Sequence, residues 1–351
     1  MMEGYILLSD GTRLDGELRG AQDTALGWLV ANTAVVGFQE MATDPCYFNR
    51  ILAFTYPEVG NVGVNAAFSE SGRVQAAGLV VKVLSAYRSH YLSEEDFESM
   101  LSRDGVPCVT GVDTRWLAVH LREKGETAAA VAPAEADADQ LLETLRGLEP
   151  RFRPTAAPSL SEKGSGPTVA VLNLGLRRSE LRQLAACCRP VVLPHDADAE
   201  AVMGCRPAGL YVSDGPSGAL PPAHAVNTIK ALLGHLPILA SGLGHVALGL
   251  ALGCSSIRLK RGHHGASYPV RNVRDSRLQI TQQRHTVVLD RGSVEGQVPA
   301  SLLWENINDS TVEGICSEDG SAVGLQFVLA APGPGVVNPH IKDFVGRLGS
   351  K

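Results

Sequence analysis

Between residues 168 and 253, short apolar runs alternate with helix-like stretches, and this alternation constrains the fold more than any other feature of the chain. Runs at 168–173, 189–193, 209–213 and 237–240 read as strands. Stretches near 178–186, 199–203 and 223–233 read as helices. Strands alternating with helices build βαβ units around a parallel sheet, so this half is of the α/β class. Functional sites of such sheets lie beyond the carboxyl ends of the strands. Two glycine-rich turns fall there, Asp214-Gly215-Pro216-Ser217-Gly218 and Ser241-Gly242-Leu243-Gly244-His245. The second sits inside LPILASGLGHVALGLALG, residues 236–253: an apolar strand, a sharp turn and an apolar helix. That is the shape of a nucleophile elbow, which holds a Ser or Cys at its tip. Here the tip is Gly242.

The earlier half reads differently. Tyr5 to Leu8 alternates and meets a Ser9-Asp10-Gly11 turn, while 94–101, 113–124 and the Ala-, Glu- and Leu-rich 133–149 read as helices. This gives a mixed α/β domain over 1–150. A Pro-, Ser- and Gly-rich linker spans 151–167, and the α/β domain spans 168–351.

Composition removes several function classes. With 31 basic against 37 acidic residues, a net charge of -6 and no long Lys/Arg block, nucleic acid is not an expected partner. The seven cysteines include no CxxC pair and lack zinc-site spacing, so free thiols in a reducing compartment are expected. The opening MMEGYILLSDGTRLDG lacks a basic region followed by a long apolar one. No apolar run is long enough to span a bilayer. A cytoplasmic protein with no membrane partner is the expectation.

Ordered blocks run through both halves. The first contains Asn32-Thr33, Gly37-Phe38-Gln39-Glu40, Thr43-Asp44-Pro45, Thr55-Tyr56-Pro57, Gly60-Asn61-Val62-Gly63, Asn65, Gly111-Val112-Asp113-Thr114-Arg115 and Leu121-Arg122-Glu123-Lys124-Gly125. The second contains Leu243-Gly244-His245, Gly262-His263-His264-Gly265, Pro269-Val270 and His285. In these blocks and their spacing the chain resembles, almost end to end, the small subunit of carbamoyl-phosphate synthetase. The resemblance implies an N-terminal domain specific to that subunit, which packs against a large subunit. It also implies a C-terminal class I glutamine amidotransferase domain with a parallel sheet flanked by helices. In the family a Cys–His–Glu triad hydrolyses glutamine. The ammonia passes through a tunnel to the large subunit, which consumes ATP and bicarbonate. By the same resemblance this chain itself holds no cofactor, and ATP and metal belong to the large subunit. Gly60 to Asn65 and Gly111 to Arg115 are candidate contacts to that partner.

The site departs from the family pattern. Amide hydrolysis of this kind needs a thiolate, a His base and a carboxylate that orients the His. The resemblance puts the nucleophile at Gly242, the base at Val328 and the carboxylate at Ala330, so no member of the triad is present. The former glutamine pocket maps to Cys46, Gly215, Ser217, Leu243, Val246, Arg284, Thr286 and Val287. Of these only Gly215 and Leu243 match the family. Loss of a nucleophile or its base alone costs on the order of 10⁶ in turnover in a hydrolase triad. The expectation is a subunit whose glutaminase is lost and whose role is structural or regulatory, in ammonia-dependent carbamoyl phosphate synthesis for arginine or pyrimidine pathways. Two alternatives stand beside it: an active glutaminase using Ser241 or Cys46, and a free-standing binding or regulatory protein. Gly262-His263-His264-Gly265 is read as packing rather than a metal site, because adjacent strand residues point to opposite faces. His245 is read as a structural histidine, His285 as a remnant beside the site, and the 214–218 turn as an ordinary strand-end turn rather than a phosphate cradle.

Overall fold

The computed structural model describes residues 2–158, 164–296 and 298–348. Residues 159–163 of the expected linker and the last three of the chain lie outside the described residues. The chain divides into two compact units: Met1–Pro150 with Lys260–Gly265, and Arg151–Leu259 with Ala266–Lys351.

The first unit is a closed barrel. Its strands run in the order Met2–Leu8, Arg13–Gly20, Pro107–Thr110, Gly78–Val80, Arg50–Phe54, Ala25–Asn32 and Thr127–Pro133. Strand alternation sorts the side chains. Ile6 and Leu8 join Leu29, Ile51, Val80, Val109 and Val131 in one cluster, while Tyr5 and Leu7 join Ala128, Ala130, Ala132 and Leu145 in another. The segment 133–149, expected to be a helix throughout, begins as the end of a strand and turns helical only over Ala138–Arg146. The expected helix at 94–101 forms over Phe97–Asp104 instead. Asp96 sets that start, since its carboxylate accepts from the Ser99 N–H at 2.8 Å. Within this unit Gly262 and His264 both bond the buried Glu126 carboxylate, at 2.8 and 3.1 Å. Glu126 in turn meets Arg50 at 3.3 Å.

The second unit is built on a nine-stranded sheet. Arg189–Leu193, Thr168–Leu172, Gly209–Val212, Ile238–Ser241 and Ala322–Leu325 lie parallel in that order. Val312–Ser317 and Ala300–Asn306 extend the sheet antiparallel, followed by the long strands Ser256–Asn272 and Leu278–Leu289. The inner parallel strands are apolar on both faces because both are covered, while the edge strand Arg189–Leu193 is only half-buried. Leu172, Val212 and Ala240 pack under the helices Ala223–Leu232 and Leu243–Ala251. Val171, Tyr211 and Leu239 pack under Arg178–Ala185 and Pro339–Leu348. Among the described residues no helix is long and apolar enough to cross a membrane.

Candidate functional site

The elbow forms as its sequence implies. Ile238–Ser241 ends at Gly242, which adopts φ 52° and ψ −115°, and the helix Leu243–Ala251 starts at the next residue. A positive φ suits glycine, which has no Cβ to clash. Gly244 allows a close approach of helix and sheet: a Cβ there would sit 2.6 Å from the Val212 carbonyl oxygen.

The space in front of Gly242 is filled. A Cβ built on it would lie 1.9 Å from Oδ1 of Asp214 and 2.1 Å from the carboxyl carbon. Asp214 follows the neighbouring strand Gly209–Val212, so the sheet brings the two turns together. Its Oδ1 accepts from the Leu243 N–H and the Gly215 N–H, both at 2.8 Å. In an elbow the N–H after the apex is one donor of the oxyanion hole. The oxygen of Asp214 therefore sits where a developing oxyanion would be held. Burial pushes its carboxyl up to about 6, helped by the Glu180 charge, while Arg177 and the two N–H groups pull the other way. Near neutral pH the group is a carboxylate.

Beneath the turn lies a closed polar network. Ser241 is 1% exposed, and its hydroxyl donates to Oε1 of Glu180 at 3.2 Å. The Tyr211 hydroxyl donates to the same oxygen at 2.8 Å and lies 3.1 Å from Ser241 Oγ. Arg177 pairs with it at 3.0 Å. Burial and the Glu180 charge hold the Tyr211 phenol well above its ordinary range. His245 is fully buried, and burial lowers it to about 3, so it stays neutral.

Six of the sequence-derived pocket residues come together. Gly215, Ser217, Leu243, Val246, Arg284 and Val287 line one hollow with Asp214, His285 and Gln326. The hollow offers about 10 Å³ to the centre of a water molecule, about enough for one water and far too little for an amino acid. Thr286 does not line it, but its hydroxyl lies 3.5 Å from Ser217 Oγ. Arg284 is buried, which lowers its guanidinium to about 9. His285 Nε2 stands 3.9 Å from a Glu313 oxygen. Val328 is buried, with its N–H donating to the Gln282 carbonyl at 2.9 Å. Ala330 is exposed, and its carbonyl accepts from Asn338. Cys46 belongs to the first unit, buried in the short turn Pro45–Tyr47. The role of Asp214 escaped the sequence reading. The available signal was a carboxylate next to Gly215 in a turn at the carboxyl end of a strand.

Comparison with known proteins agrees with this architecture. Residues 6–131 match the carbamoyl-phosphate synthase small chain, CPSase domain, and residues 173–327 match glutamine amidotransferase class-I. A carbamoyl phosphate synthase small chain from Methanopyrus kandleri is 37% identical over 345 residues, covering 95% of each chain. One from Listeria innocua is 31% identical over 357 residues, covering 100% of this chain and 98% of its own. A pyrimidine-specific small chain from Lactiplantibacillus plantarum is 33% identical over 353 residues, covering 99% and 96%. Matched along its whole length by such relatives, this chain belongs to the carbamoyl phosphate synthase small chain family.

Proposed function

We propose that this chain is a carbamoyl phosphate synthase small subunit without glutaminase activity. In this reading it docks on a large subunit as a structural and regulatory partner, and the assembly takes its nitrogen from ammonia. The carbamoyl phosphate would serve pyrimidine or arginine synthesis.

One observation carries the reading. The Asp214 carboxylate occupies the space a side chain at position 242 would need, and it takes the Leu243 and Gly215 N–H groups for itself. Acyl transfer depends on such donors being aimed at the charge that develops in the transition state. A resident anion removes that stabilisation and repels a second oxyanion. The small volume of the hollow supports the same reading. Ser241 gives its hydroxyl to Glu180 in a buried network, an arrangement suited to holding the turn.

The test is to expose the purified chain, alone and with its large subunit, to a glutamine analogue that alkylates active-site nucleophiles. Intact-mass and peptide mapping would follow. The expected result is an unmodified chain. A stoichiometric adduct on Ser241 or Cys46 would overturn the reading.

A further inference from the structure

The first unit contains a second, larger hollow of about 250 Å³, formed where three loops meet the helix Phe38–Thr43. The loops are clamped. Gln39 Nε2 donates to the Asn65 carbonyl at 2.7 Å and lies 2.8 Å from Ser69 Oγ, while its Oε1 accepts from the Asn65 N–H at 3.0 Å. Asn65 Nδ2 donates to the Leu92 carbonyl at 2.7 Å and to Glu94 at 2.9 Å. His90 Nδ1 accepts from the Leu92 N–H at 3.2 Å, and the His90 ring meets Phe68 edge-on at 5.6 Å. The walls are therefore held before anything binds.

Those walls are aromatic and aliphatic, chiefly Phe38, Phe68, Phe97 and Val62, with one carboxylate among them, Glu40. Burial raises the Glu40 carboxyl; its own N–H counters this, and the Glu70 charge adds to the rise. Among the described residues no Lys or Arg pairs with it. Of the lining residues Val36 is 68% exposed, and the lining His90 carries Tyr91, 86% exposed, stacked on its ring. An unpaired carboxylate in an aromatic hollow selects a cation on an apolar stem. An apolar rim of this kind marks a surface that another protein covers.

We propose that this hollow receives a lysine or arginine side chain of a protein partner, its stem against Phe38, Phe68 and Val62 and its charged head at the Glu40 carboxylate. The choice of a protein as the source rests on the docking role proposed above.

The experiment pairs two measurements on the full chain and its Glu40→Gln variant. One is the affinity for the co-expressed large subunit. The other is NMR titration with N-acetyl-arginine amide, using N-acetyl-norleucine amide as the uncharged control. Glutamine can still accept from its own backbone N–H, and unchanged thermal unfolding of the variant verifies its fold. Glu40→Gln is expected to weaken both interactions about tenfold or more, and the norleucine probe is expected to bind at least as weakly. If the large subunit binds wild type and variant equally and the arginine probe leaves the hollow's resonances unmoved, the inference falls while the docking role stands. If no complex forms but the arginine probe binds in a Glu40-dependent way, the cation site stands and the docking role falls.

Discussion

Gly242 and Asp214 exclude larger neighbours from each other's space, and this sets the first prediction. A methyl group at 242 would meet the Asp214 carboxylate and would also sit at φ 52°. Gly242→Ala should cost about 2–4 kcal/mol in urea unfolding, from clash and backbone strain together. Adding Asp214→Gly should recover the part due to the clash. Full additivity of the two changes would contradict direct contact. The titration of Asp214 gives a second prediction. Its carboxyl rises from 3.8 to about 6 on folding, so the native state holds more protons than the unfolded state between those values. Stability from this group is complete below pH 3.8 and is lost as pH climbs through about 6, a change of about 3 kcal/mol. Asp214→Asn should remove that slope. An unchanged pH profile in the variant would show that Asp214 is not the group responsible.

At the scale of elements, buried charge and helix caps carry the testable weight. Glu180 gathers Arg177, Tyr211 and Ser241 under the elbow. Glu180→Ala would remove the buried carboxylate that Arg177, Tyr211 and Ser241 share and should cost about 3–5 kcal/mol in chemical unfolding. Asp96→Ala removes the cap of Phe97–Asp104 and the exposed bond from the Ser99 hydroxyl to the same carboxylate and should cost about 1 kcal/mol. A loss as large as that of Glu180→Ala would mean that Asp96 does more than cap. The same elements show which features were legible in sequence. The parallel strands at 168–240 stood out because strands covered on both faces are almost continuously apolar. The barrel strand Thr127–Pro133 did not, because its TAAAVAP sequence is rich in alanine, a strong helix former, and only burial between barrel neighbours makes it a strand. The long strand Ser256–Asn272 went unread because it mixes exposed and buried residues with no steady period of two.

For the whole molecule, the family is legible in residue identity, and so are Gly242, Val328 and Ala330 at the three positions where the resemblance expects a triad. The bond from the Leu243 N–H to the Asp214 carboxylate is not, because the two residues are far apart in sequence and meet only when two strands align at their carboxyl ends. The proposed consequence is an assembly that assimilates ammonia and leaves glutamine alone. The most direct measurement is to co-express the chain with the large subunit from the same source, purify the complex, and assay carbamoyl phosphate from ammonium and from glutamine separately. The account predicts product from ammonium and none from glutamine above a control lacking this chain. Glutamine-dependent product that vanishes when this chain is omitted would contradict it.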